Sequence, residues 1–266
     1  MARQRAYLLI TVFALLLVLF PFLFWYGTWF GRKLPDAQLA EYLADTAKPR
    51  HAQHALVQIG ERMGRHDPGV SHWYPQVVQL AASPRIELRQ TAAWIMGQDD
   101  TYAPFHEALL KLIADPQPMV RRNAALALSN FGDPAARPEL LAMLRPYTIV
   151  SPVAGAVRYR LKLGEYVNPG TLVAHVGNVE VRSPLPGEVR ELSRRDGAAT
   201  QPGAALVEIS ADKDHVWEAL RALWTVGTKD DLEEVERYAR GVPGMTEKVQ
   251  EQAVLTLRAI QSRPAQ

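Results

Sequence analysis

DPQPMVRRNAALALSNFG, residues 115–132, reads as one amphipathic helix and its stop. Val120, Ala124, Ala127, Leu128 and Phe131 recur at i, i+4, i+7, i+8 and i+11, a single apolar stripe at helical period. ELRQTAAWIMGQDD, from Glu87, repeats the arrangement thirty-two residues earlier, with Ala92 and Ala93 answering Ala124 and Ala125. A helix of its own precedes each copy: YPQVVQLAAS from Tyr74 and FHEALLKLIADP from Phe105. RHAQHALVQIGERM from Arg50 is a looser copy behind DAQLAEYLAD from Asp36.

A period near 32 residues, two helices per period and small residues where helices touch predict a stacked solenoid. The pattern D-P-x-x-x-V-R-x-x-A-A-x-A-L-x-x-x-G from Asp115 resembles HEAT repeats in their short, PBS-lyase-type form. The first and last copies are degenerate, as capping repeats often are. The resemblance implies a ladder between repeats, built from an Asp before the second helix and an Arg within it. Asp115 and Arg121 match those positions and are expected to be structural.

The fourth repeat breaks the rhythm. ARPELLAMLRPY from Ala136 reads as its first helix, but TIVSPVAGAV follows where a second helix is due. That helix arrives at DHVWEALRALWTVGTKDD from Asp214, with Val216, Leu220, Leu223 and Gly227 in the second-helix pattern. DLEEVERYARG and EKVQEQAVLTLRAIQ complete a fifth pair. Residues 148–212 are therefore expected to be an insertion in one repeat's loop.

Inside the insertion the text is doubled. SPVAGAV at Ser151 is echoed by SPLPGEV at Ser183, and GEYVNPGTLV at Gly164 by DGAATQPGAALV at Asp196. The period falls to two in GAVRYRLKL and VEVRS, with Pro-Gly turns at 169–170 and 202–203. Short strands with regular turns predict a small barrel or sandwich. Two copies predict interlocked halves about a pseudo-twofold axis. The segment resembles the biotinyl/lipoyl carrier domain, a barrel-sandwich hybrid also found in membrane-fusion adaptors of efflux and secretion systems. A carrier needs a Lys at the hairpin joining the halves. Here the joint is VAHVGNVEVRSP, and no Lys occurs between Lys162 and Lys213. The long α-hairpin of the efflux adaptors is also missing. What the residues support is a rigid, unmodified barrel with no prosthetic group.

The remaining composition narrows the class. Cysteine is absent, so disulfides and thiolate metal sites are excluded. Arg3, Arg5, Arg32 and Lys33 carry the first 33 residues, which hold no acid; the rest mixes signs without the basic face of a nucleic-acid binder. From Ala6 to Gly31 there is no charge, a run long enough for a bilayer-spanning helix, with Trp25, Tyr26 and Trp29 at one end. No small-x-small cleavage site follows. The expectation is an uncleaved single-pass anchor with its N-terminus cytoplasmic and the soluble part periplasmic or extracytoplasmic.

No P-loop, nucleophile elbow or dinucleotide fingerprint occurs. His51, His54, His66 and His72 read as a polar helix face and a loop rather than a metal site. Asp99-Asp100, Asp230-Asp231 and Glu233-Glu234 read as loops or helix starts. Trp217 and Trp224 are expected between solenoid and barrel. The expected fold is mainly α: a HEAT-like solenoid with an inserted all-β barrel-sandwich hybrid, preceded by one transmembrane helix. Its divisions are an anchor over 1–33, repeats over 34–147, the β insertion over 148–212 and closing helices over 213–263. The expected function is a non-enzymatic bacterial membrane scaffold or adaptor that binds another protein, with no catalytic, cofactor or metal site. The alternatives are an accessory component of an efflux or secretion transporter, or a degenerate carrier protein. Arg89, Arg122, Gly177, Asn178 and Arg221 are the candidate partner-binding residues.

Overall fold

A computed structural model of the chain describes residues 11–23, 33–45 and 47–263. The chain divides into two units, Met1–Gln58 and Ile59–Gln266. In the first, residues 11–23 form a helix, α1, whose side chains are all exposed. Among the described residues no helix is long and apolar enough to cross a membrane. The two ends of the charge-free run from Ala6 to Gly31 lie outside the described residues. Helix α2 (Asp36–Ala44) follows, and α3 (Pro49–Gly64) begins here. His51 of α3 stacks on Tyr42 at 4.2 Å, and its Nδ1 lies 3.1 Å from Asp45 Oδ2.

The second unit is built from helix pairs: α4 (Tyr74–Ala81) with α5 (Ile86–Met96), and α6 (Ala103–Leu112) with α7 (Pro118–Asn130). After α8 (Arg137–Met143) come eight strands, then α9 (Lys213–Val226), α10 (Leu232–Ala239) and α11 (Glu247–Gln261). The predicted stripe of α7 is the buried one: Val120, Ala124, Ala127 and Leu128 all lie in the core. The second helices pack side by side, α5 on α7, α7 on α9, α9 on α11. Gly97 allows the first contact, because a Cβ there would lie 2.9 Å from the Ala127 backbone.

Hydrogen bonds between neighbouring repeats show how the strands fit in. Asn123 and Asn130 of α7 bond carbonyls of α5 and of Gly97 just after it, each 33 residues earlier. Across the strands, Arg122 bonds His215 and Arg137 bonds Asp231, at separations of 93 and 94. The strands interrupt the row between α8 and α9, yet α9 still packs against both α7 and α8.

The strands are β1 (Tyr147–Val150), β2 (Gly155–Tyr159), β3 (Tyr166–Val167), β4 (Leu172–Val176), β5 (Val179–Arg182), β6 (Gly187–Leu192), β7 (Ala199–Thr200) and β8 (Ala205–Ile209). They form two antiparallel sheets, ordered β1-β8-β6-β3 and β5-β4-β2-β7. Under the sequence echo, β1 corresponds to β5, β2 to β6, β3 to β7 and β4 to β8, so each sheet is the image of the other. The short strands are exchanged: β3 of the first half pairs with β6, and β7 of the second half with β2. The bonds repeat in the same way. Ser151 N donates to Ala204 O and Ser183 N to Thr171 O, both at 2.8 Å. Gly203 N donates to Ser151 O and Gly170 N to Ser183 O, again at 2.8 Å.

These bonds explain the repeated words. Each Ser of S-P is buried, and its hydroxyl closes a turn onto a carbonyl two residues on, Val153 or Leu185. Each Pro-Gly turn delivers an amide to the Ser of the other half. Thirteen buried side chains from both sheets and their loops, among them Val157, Val176, Val189 and Ile209, make one core, and Met119 of α7 packs against it.

Candidate protein-interaction surface

The surface is built on the second helices, whose inner faces are used up by packing. On α7 a row of intermediate or exposed residues remains: Met119, Asn123, Leu126 and Asn130, at the i, i+4, i+7, i+11 spacing of one helix face. Asn123 Nδ2 donates to Gln90 O at 3.0 Å, and Asn130 Nδ2 to Gly97 O at 2.9 Å. The α9–α11 junction uses a hydroxyl in the same role: Thr256 Oγ1 of α11 donates to Leu220 O of α9 at 2.7 Å. Between α5, α7 and α9 lies an open groove of about 170 Å³, lined by Trp94, Asn123, Leu126, Asn130, Glu218 and Arg221.

Large apolar side chains stand out on this row. Trp94 is 47 % exposed, Trp224 53 % and Leu255 53 %. Trp217 is covered by two cations, with Lys248 Nζ 3.8 Å and the Arg221 guanidinium carbon 5.8 Å from its ring centre. Neither cation forms an ion pair with a described residue. Burial pushes the Glu218 carboxyl up, against the nearby Arg221, which lowers it. The two tryptophans of α9 are thus not the solenoid–barrel packing expected of them: α9 turns that face to solvent and to α11.

The candidate residues separate into two groups. Arg221 is exposed on the groove wall, and Asn178 is exposed at the β4–β5 hairpin. Gly177 precedes it with φ of 58°, the left-handed conformation that a two-residue hairpin turn requires and Gly adopts freely. Arg89 and Arg122 are not free surface. Arg89 grips Asp115 through Nε at 2.6 Å and Nη2 at 3.1 Å and also bonds Ser83 O. It is Arg89, from the preceding repeat, that makes the ladder to Asp115. Arg121 instead reaches Glu139 at 2.9 Å and the Asp115 main-chain carbonyl.

Arg122 is 4 % exposed at the root of the strands. Its Nη1 donates to His215 Nδ1 at 2.8 Å, while its Nε is buried without a partner among the described residues. An arginine only donates, so His215 accepts there and carries its proton on Nε2. Burial depresses the Arg122 guanidinium to about 10, and burial followed by Arg122 depresses His215. Asp212 closes the same root: Oδ1 caps the amides of Asp214 and His215, and Oδ2 accepts from Tyr166 Oη at 2.7 Å. The sequence could not separate Arg121 from Arg122, because what buries Arg122 is α9, returning from ninety residues downstream. Of the two asparagines, Asn123 did leave a signal, since it stands in a helix interior where Asn is a poor helix former; Asn130, at the end of α7, did not.

The family model of HEAT repeats matches residues 74–154, the helix pairs α4 to α8 and the first strand. No curated protein matches the chain. Among solved structures, the complex of CpcE and CpcF of phycocyanin lyase from Nostoc sp. PCC7120 is similar at 15 % identity and TM-score 0.48, over 88 % of this chain and 68 % of that one. A crystal structure of an engineered protein is similar at 16 % identity and TM-score 0.43, over 84 % and 78 %. The chain carries HEAT-like repeats, and its second helices present the exposed row just described.

Proposed function

We propose that the protein is a non-enzymatic scaffold that binds another protein on its second-helix face and is held at a membrane by its N-terminal segment. The observation that carries this reading is the exposure of Trp94, Trp224 and Leu255 on three of the four second helices, α5, α9 and α11, together with the cations Arg221 and Lys248. Aromatic and arginine side chains in a partly apolar patch are the usual centre of a binding surface. A solenoid presents such positions at a fixed spacing. The exposed helix over residues 11–23 lies within the charge-free run and supports an anchor, with the soluble part outside the cytoplasm. An anchor would raise the local concentration of whatever binds.

Within this reading the segment 148–212 is an inserted barrel-sandwich hybrid of the biotinyl/lipoyl kind that carries no prosthetic group. The exchanged short strands and the paired Ser and Pro-Gly contacts support it. Its β4–β5 hairpin, with Asn178 at the tip, is the part available to a partner.

Affinity purification from native membranes tests the proposal. The full chain should bring down a protein that the double variant Trp94→Ala, Trp224→Ala does not, with both chains equally helical. The same partner recovered equally by both would overturn it.

A further inference from the structure

We infer that the groove between α5, α7 and α9 takes an extended peptide segment bearing an acidic side chain; this rests on the scaffold reading and names what that surface grips. The inference begins with Asn123 and Asn130. Each gives one amide hydrogen to a carbonyl, Gln90 O of α5 or Gly97 O just past its end, which fixes the side-chain plane. Neither Oδ1 has a protein partner among the described residues, and neither is a buried unsatisfied atom. Both amides line the groove, each keeping an acceptor and a second N–H for a ligand.

Their spacing selects the ligand's shape. Seven residues of α-helix rise about 10.5 Å, and three residues of extended chain cover about 10 Å. Two fixed amides at that interval match the N–H and C=O groups of one extended strand of main chain. A helical segment would have satisfied those groups internally and would offer nothing to them.

The charge selects the side chain. Arg221 on the groove wall and Lys248 beyond it share the Trp217 ring and lack ion-pair partners among the described residues. Glu218 is the opposing carboxylate of the groove, and burial already works against its charge. A ligand carboxylate beside Arg221 would supply the direct ion-pair contact that Glu218, close enough to be felt but not paired, does not make. Trp94, half exposed at the other wall, offers a flat apolar face to a neighbouring side chain of the same segment.

The test is selection of a random heptapeptide phage library on the full chain in detergent. Wild type should enrich a consensus holding Asp or Glu. Arg221→Glu should lose that acidic position or exchange it for Lys or Arg. Asn123→Ala with Asn130→Ala should lower enrichment at least tenfold while leaving the acidic preference in whatever survives. Helical circular dichroism of each variant confirms that the fold is kept, and Asn130→Ala alone, at an exposed position, serves if the double variant is not folded. No consensus, or one indifferent to both Arg221 and the asparagines, overturns the inference. If the affinity purification still depends on Trp94 and Trp224 in that case, the scaffold reading stands and only the peptide assignment falls.

Discussion

Asp115→Ala cuts the junction between two repeats at one point. It removes both acceptors of the Arg89 guanidinium and the carboxylate that receives the Gln117 amide at the start of α7. The two side chains are 14 % and 6 % exposed, so Arg89 is left poorly hydrated with only the Ser83 carbonyl. Breaking a buried pair costs about 3–5 kcal/mol, and the partial exposure of Arg89 places this case near the low end, about 3 kcal/mol. At roughly 2–4 °C per kcal/mol for a chain of this size, the melting midpoint should fall by about 10 °C. Thermal circular dichroism of the full chain in detergent reads this directly. Arg89→Met combined with Asp115→Ala should be less damaging than the two single changes added together, by about 1.5 kcal/mol. The pH dependence has a definite sign. Burial alone would raise the Asp115 carboxyl, but the bonds from Arg89 and Gln117 outweigh it and hold the group below its ordinary value. Such a carboxylate stabilises the fold above its unfolded pKa, near about 3.9, and the contribution is lost as pH falls through the lower folded value. The gap between wild type and Asp115→Ala should therefore narrow below about pH 4. A drop under about 3 °C, or additive single changes, would refute the ladder assigned to this pair.

Replacing residues 150–211 by a short Gly/Ser linker should leave helical circular dichroism in place, since Tyr147 and Ile209 are already strand partners and closing a loop there costs little; loss of the helical signal would show that the strands are integral to the row. Gly187→Ala should destabilise the strands by about 1–3 kcal/mol, because its Cβ would meet the Ser210 carbonyl, and an unchanged midpoint would contradict the close approach. His215 has a folded pKa below its unfolded one, so its stabilisation is complete above about pH 6.5 and declines as pH falls toward the folded value. His215→Gln should flatten part of the loss of stability between about pH 7 and 5, and an identical slope in both proteins would count against a neutral His215 under Arg122.

The repeats were legible because burial and sequence share one period: the stripe from Val120 to Leu128 is the stripe that packs. The echo of S-P and P-G was legible because those residues close the same turns in both halves. The two-residue strands β3 and β7 were not, since two residues carry no period. The candidate surface was only partly legible. Arg89, Arg122 and Arg221 look alike in one dimension, and long-range packing decides their fates. Asp115 claims Arg89, α9 covers Arg122, and only Arg221 stays on the groove wall.

The central claim is that partners dock on the second-helix face. A photo-reactive phenylalanine at Trp224, exposed on α9, and the same group at Leu110, exposed on the first helix α6, compare the two faces in native membranes. The account predicts a discrete cross-linked adduct from position 224 and none from position 110. Adducts from position 110 alone would contradict it.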